Sequence, residues 1–188
     1  MNRELVLIVS ISLLSALAGM WFYLSNNAQT EYLSSSEINA TNNRDTNNSA
    51  AALSFDDIVL NDLDNKPQFL TQWEKPILIL NFWAPWCAPC RREIPALIEI
   101  QNSYSEKVQI VGLSFDNNEN VRSFSQEYAI NYPLLIVNKE AALLNRYFGN
   151  QSGGLPFTVI LDQNRNIQLQ HSGEITEKSI QKQITALL

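Results

Sequence analysis

The chain has 188 residues, 45% hydrophobic and 17% charged, which is enough for one full core and hardly enough for two. Its 13 Lys and Arg stand against 19 Asp and Glu, a net charge of −6 that argues against binding a nucleic-acid backbone. Six Gly and seven Pro exclude a collagen-like or Pro-rich chain, and two Cys exclude a multi-disulfide scaffold and a four-cysteine zinc site.

Leu5 to Leu24 is a run of 20 residues without a charge, long enough as a helix to cross a hydrocarbon core of about 30 Å. The alternative is a cleaved signal peptide, because Ala16-Leu17-Ala18 before Gly19 fits the small-residue rule for cleavage. An anchor over residues 1–24 is favoured: Met20-Trp21-Phe22-Tyr23-Leu24 stays apolar past that site and ends in aromatics suited to a membrane interface. Arg3 precedes the span and the next basic residue is Arg44, so the short N-terminal end is expected on the cytoplasmic side. Residues 25–52 are rich in Asn, Ser, Thr and Ala without apolar periodicity, which predicts a flexible tether rather than a recognition segment around Tyr32. Asn39-Ala40-Thr41 matches a glycosylation sequon, a short pattern that an Asn-rich tract produces by chance.

From residue 53 onward, strand-like and helix-like segments alternate, the pattern of an α/β domain. Phe55 to Leu60 and Gln68 to Leu70 flank a turn at Asp62-Leu63-Asp64-Asn65 and predict an N-terminal hairpin. Ile77 to Phe82 is a nearly continuous apolar run, as a central strand covered on both faces requires. A helix is expected over Ala88 to Tyr104, with Ile94, Leu97, Ile98 and Tyr104 as its buried stripe and Pro95 kinking it. Val108 to Phe115 reads as a strand, Asn120 to Tyr128 as a helix, Leu134 to Val137 as a strand and Lys139 to Phe148 as a helix. Phe157 to Leu161 and Ile167 to Gln170 flank Asp162-Gln163-Asn164-Arg165 as a second hairpin. Thr176 to Leu187 closes the chain as a helix with Thr176 its N-cap.

The chemistry concentrates at Trp86-Cys87-Ala88-Pro89-Cys90, between the central strand and the first helix. Free backbone N–H groups and the positive end of the helix dipole stabilise a thiolate there, lowering a thiol pKa from about 8.5 toward about 3.5 to 7.5. Cys87 is then the nucleophile, and Cys90 stands where it can attack a mixed disulfide formed on Cys87. Pro89 falls in the first turn, where its missing N–H costs little. A purely stabilising disulfide is a poor alternative, because so short a loop constrains the unfolded chain little. Half of a metal site is another alternative, yet the one histidine, His171, is remote in sequence, and Arg91 after Cys90 excludes covalent haem attachment.

These residues resemble the thioredoxin superfamily, specifically membrane-anchored extracytoplasmic reductases of the TlpA/ResA type. The resemblance spans roughly Phe55 to Leu188 and rests on three blocks: Lys75 to Ala84, Trp86 to Pro95, and Gly154-Leu155-Pro156. It implies a thioredoxin-like fold, a central mixed sheet flanked by helices with an N-terminal β-hairpin and an inserted segment between Val108 and Val137. It further implies a redox-active Cys87–Cys90 pair, a cis peptide bond at Pro156, and substrate contact through Trp86 and the backbone of Leu155, with Gly153 and Gly154 allowing close approach. Glu93 matches a glutamate that tunes the cysteines and accepts a proton; the plain alternative is a solvated acid near a helix start. Asn81 stands where thioredoxin itself carries a buried aspartate, which shifts proton transfer onto Glu93 or water.

Trp83 reads as core, Arg91 and Arg92 as solvated helix-face cations rather than thiolate partners, and His171 and Asp116 as outside the chemistry. By resemblance no small-molecule cofactor is needed, the substrates are protein disulfides, and a transmembrane donor of the DsbD/CcdA type restores the dithiol. The haem-attachment cysteines of apocytochrome c are one suitable target. Phe157 departs from dedicated cytochrome-maturation relatives, which carry an acid after the cis-proline. Two other functions compete: a disulfide-forming oxidant or isomerase on the same fold, separated by reduction potential, and a carrier of copper or another soft ion on the two thiolates, separated by metal content. Peroxide reduction is a lesser option, since peroxidases of this superfamily depend on differently placed cysteines.

Overall fold

The computed structural model describes residues 53–188; the expected anchor over 1–24 and tether over 25–52 lie outside the described residues. Among the described residues no helix is long and apolar enough to cross a membrane.

The central strand β3 (Ile77–Trp83) is buried at all seven positions, which follows from helices lying on both of its faces. Seven strands form one mixed sheet in the order β2-β1-β5-β4-β3-β6-β7. β1 (Val59–Asp62) pairs antiparallel with β2 (Pro67–Phe69) and with β5 (Leu134–Ile136). β3 pairs parallel with β4 (Val108–Ser114), and β4 pairs parallel with β5. The second edge is antiparallel: β3 with β6 (Phe157–Leu161), then β6 with β7 (Ile167–Ser172).

Alternate residues of β3 enter two different cores, as the pleat requires. Ile77, Ile79 and Trp83 meet α1 (Ala88–Ser103), α2 (Asn118–Glu127) and α4 (Glu177–Leu187) through Ile94, Leu97, Phe124, Ile180 and Ile184. Leu78, Leu80 and Phe82 face α3 (Ala141–Tyr147) and the turns before and after the first hairpin through Leu144, Phe148, Phe55 and Leu70. The β4–α2–β5 crossover is the segment expected between Val108 and Val137.

Several boundaries differ from expectation for local reasons. Phe55–Asp57 is a 3-10 turn rather than the start of a strand: Ser54 Oγ accepts the Asp56 N–H at 3.4 Å and two acids occupy the first turn. Leu70 leaves β2 and opens a second 3-10 turn, its N–H donated to Ile58 O at 3.1 Å and its side chain fully buried. α2 begins two residues early because Asn117 Oδ1 caps the Asn120 N–H at 2.9 Å. α3 starts two residues later than expected, and Thr176 N-caps α4 through the Ser179 N–H. In α1 the buried stripe is Cys90, Glu93, Ile94, Leu97, Ile100 and Gln101; Ile98 and Tyr104 are only partly buried. The stripe is set by the need to cover the sheet from Cys90 onward at three- and four-residue steps, which rotates Ile98 toward the edge. The helix runs through Pro95 as one element, although that residue offers no N–H to Arg91 O.

Both hairpin turns use one device. Asp62 Oδ1 accepts the N–H groups of Asp64 and Lys66 at 2.8 and 3.0 Å; Asp162 Oδ1 accepts those of Asn164 and Asn166, each at 2.9 Å. The fourth turn residues, Asn65 and Arg165, take positive φ.

Gly112 on β4 supplies room rather than backbone freedom. A Cβ there would lie 2.6 Å from Leu134 Cδ2 and 2.9 Å from Trp83 Nε1, both buried. Gly112→Ala is therefore expected to lower stability by about 1–3 kcal/mol, the usual cost of overpacking, read from the denaturation midpoint.

Candidate active site

β3 ends at Trp83, and Ala84-Pro85-Trp86 carries the chain to Cys87, the N-cap of α1. Cys87 and Cys90 form a disulfide with Cα atoms 5.3 Å apart. Cys87 Sγ accepts the Cys90 backbone N–H at 3.3 Å, so this sulfur faces one of the free N–H groups of the helix start. Cys87 retains 6% exposure and Cys90 none, an asymmetry that leaves Cys87 as the sulfur an incoming group meets first.

Beside the disulfide is a groove of about 480 Å³ lined by Trp86, Cys87, Ala88, Pro89, Phe115, Gly153 and Leu155. Trp86 is 67% exposed on its rim. The Leu155–Pro156 peptide bond is cis, as the resemblance implies. Pro156 O accepts the Gly173 N–H at 2.9 Å, while neither the N–H nor the carbonyl of Leu155 has a partner among the described residues. A half-exposed edge of unpaired backbone beside a disulfide is suited to pairing with an extended polypeptide.

Glu93 follows Cys90 by one helical turn on the same buried face and is 1% exposed. It is not the solvated acid of the plain reading. Its Oε1 accepts Asn81 Nδ2 at 2.7 Å and its Oε2 accepts the Ile175 N–H at 2.9 Å, while Asn81 Nδ2 also donates to Thr158 Oγ1 at 3.2 Å. Burial pushes the Glu93 carboxyl up to about 7, against the downward pull of these two donors, and the charge of Glu174 adds to the rise. The rise brings the carboxyl out of the ordinary acid range and toward neutrality. Tyr132, in the loop before β5, is also buried; burial raises its phenol well above the ordinary value, with a contribution from the charge of Glu93.

The remaining candidates lie elsewhere. Arg91 donates to Tyr128 Oη at 2.8 Å and lies over the Phe124 and Tyr128 rings, and Arg92 pairs with Glu174 at 2.7 Å across an exposed surface. Asp116 accepts the Asn117 N–H and Asn120 Nδ2 before α2, and His171 Nε2 lies 3.1 Å from Glu174 O. Phe115 joins the site without having been singled out. Phe115 had a signal, since it directly follows β4, the strand parallel to β3, and ligand crevices form beyond the carboxyl ends of such strands.

A cysteine pair at a helix start, under a cis-proline loop on this sheet, defines a thioredoxin-like thiol-disulfide oxidoreductase. Comparison with known proteins agrees: the AhpC/TSA family model matches residues 52–170, and the chain belongs to that family. It is 33% identical over 132 residues to the thioredoxin-like protein YneN of Bacillus subtilis, covering 68% of this chain and 75% of that one. It is 29% identical over 133 residues to the thiol-disulfide oxidoreductase ResA of Geobacillus thermodenitrificans, covering 70% and 74%. Among solved structures, the thioredoxin-related protein of Neisseria meningitidis serogroup B superimposes with a TM-score of 0.62 at 31% identity, over 68% of this chain and 97% of that one.

Proposed function

We propose that this oxidoreductase is a reductant of protein disulfides, held outside the cytoplasmic membrane by its N-terminal segment. The observation that carries the reading is Cys87, the less buried sulfur of the pair, at the N-cap of α1 and on the wall of a groove that also offers the unpaired backbone of Leu155. The 20-residue uncharged run from Leu5 to Leu24 supports the tether, and the similarity to ResA proteins supports the redox class.

The reaction begins with the dithiol. The Cys87 thiolate attacks one sulfur of the substrate disulfide, forming a mixed disulfide and expelling a substrate thiolate that takes up a proton. Cys90, on losing its proton, attacks the Cys87 sulfur and expels the second substrate sulfur as a thiolate, which takes up a proton, leaving the Cys87–Cys90 disulfide. Two protons leave the enzyme and two are gained by the substrate. Glu93, buried one turn from Cys90 with its carboxyl raised to about 7, is the acceptor for the Cys90 proton. A membrane donor of the DsbD/CcdA type returns two electrons to the pair, which takes up two protons to restore the dithiol, and the tether keeps the domain at high effective concentration near it.

Direction and location are tested together by trapping thiols with a membrane-permeant alkylating agent in intact cells, then fractionating. A reductant is expected mainly as the dithiol in the membrane fraction. A protein found mainly as the Cys87–Cys90 disulfide contradicts the reductive direction, and one found in the soluble fraction contradicts the tether.

A further inference from the structure

The loop from Gly149 to Leu155 joins α3 to β6 and carries the backbone that faces the disulfide. It holds three glycines in seven residues, and Gly149 and Gly153 both take positive φ. Between Phe148 and Leu155 it has no apolar side chain to anchor it in either core. A segment so rich in conformational freedom needs another source of order.

That source is Asn150. It is 2% exposed, and its Nδ2 donates to Gly154 O at 3.0 Å and to Asn145 Oδ1 at 3.1 Å. Its own carbonyl accepts the Gly153 N–H at 3.0 Å, and its Oδ1 is at the limit of reach of Ser152 Oγ, at 3.5 Å. The Gly154 N–H is held by Ser152 Oγ at 3.3 Å, and the buried Asn150 amide ties the end of α3 to the carbonyl of the peptide immediately before Leu155.

We infer that Asn150 is a positioning residue for substrate: it fixes the Gly154–Leu155 backbone at the height above Cys87 that an extended polypeptide needs in order to pair with Leu155 while presenting its disulfide. The inference rests on the reading that Cys87 attacks protein disulfides. It separates Asn150 from a residue that merely stabilises the fold, because only substrates with a peptide backbone use the Leu155 edge.

The test uses the full chain, reduced and held in detergent micelles, with two oxidants. One is a synthetic peptide closed by a Cys-x-x-Cys disulfide; the other is bis(2-hydroxyethyl) disulfide, which has no backbone to pair. Asn150→Asp keeps the size, removes both Nδ2 donations and sets a carboxylate against Gly154 O. It is expected to slow peptide reduction about tenfold to a hundredfold, as misplacement by an ångström does, and to leave the small disulfide within twofold. Asn145→Ala, which removes one acceptor and leaves the Gly154 bond, is expected to shift the ratio of the two rates in the same direction by a smaller factor. It decides the matter if Asn150→Asp does not fold. Equal slowing of both oxidants, or an unchanged ratio in both variants, overturns the inference. A wild-type protein that reduces neither disulfide overturns the parent reading instead.

Discussion

Cys90→Ser is expected to convert the protein into a trap, in which Cys87 attacks a substrate disulfide and the mixed disulfide persists because no second thiol resolves it. Cys87→Ser is expected to lower disulfide reduction to the rate without enzyme, since the remaining Cys90 has no exposed surface. The two variants should therefore differ in kind: non-reducing electrophoresis shows substrate adducts with Cys90→Ser and none with Cys87→Ser. The reverse pattern would mean that Cys90 is the attacking sulfur and would contradict the roles drawn from burial and from the helix N-cap. Loss of the Cys87–Cys90 bridge need not unfold either variant, because a bridge across so short a loop constrains the unfolded chain little.

The second large effect concerns Glu93. Its carboxyl is at about 7 in the folded protein against an ordinary 4.5, so the folded state binds this proton more tightly than the unfolded state does. The sign follows: the stability linked to Glu93 is full below about 4.5 and is lost as pH rises through about 7. With one pKa unit worth about 1.4 kcal/mol, the loss is on the order of 3 kcal/mol, undiminished by solvent screening because the group is buried. Denaturant unfolding at several pH values should show this decline in the wild type and little of it in Glu93→Gln. The same variant is expected to slow disulfide reduction by about 10²–10⁴-fold, the usual worth of a positioned proton acceptor. It should also remove an inflection near pH 7 from the rate profile of the wild type. A variant steadier above neutrality and slower in catalysis is the mark of a group retained for chemistry at a cost in stability. Parallel pH slopes in the two proteins would contradict the assignment of Glu93.

Much of this was legible in the sequence because local rules and tertiary demands coincide. The run Ile77 to Phe82 has no polar face to offer solvent until Asn81, so only a strand covered on both sides fits it. The hairpin at Asp162 announces itself through Asp-x-Asn-x, whose carboxylate organises the turn without tertiary help. Cys87 and Cys90 carry chemistry tied to their own positions in the chain, whereas the cis bond at Pro156 came from the family resemblance and not from local pattern.

What was not legible depends on contacts distant in sequence. The burial of Glu93 is set by Asn81, 12 residues before it, and by the Ile175 N–H, 82 residues after it. No periodicity in α1 distinguishes such an acid from a solvated one. Ser54 turned Phe55–Asp57 away from the expected strand through a cap that competes with weak strand propensity. Tyr132 and Trp83 close over Gly112 between β3 and β5, a consequence of strand order rather than of local pattern. Asn150 lies in a Gly- and Ser-rich stretch that composition alone assigns to an ordinary loop.

The most direct test of the central claim is the reduction potential of the Cys87–Cys90 couple, measured on the full chain against a dithiothreitol or glutathione buffer. Reversible change in tryptophan fluorescence reports it, with Trp83 buried and Trp86 exposed beside the pair. About 30 mV corresponds to about 1.4 kcal/mol for this two-electron couple, so a reductant and an oxidant are well separated. A value near or below about −270 mV, in the range of thioredoxin, is expected. A value near about −120 mV, that of a strong disulfide-forming oxidant, would contradict the reductive direction, and failure to cycle reversibly would contradict the Cys87–Cys90 redox couple itself.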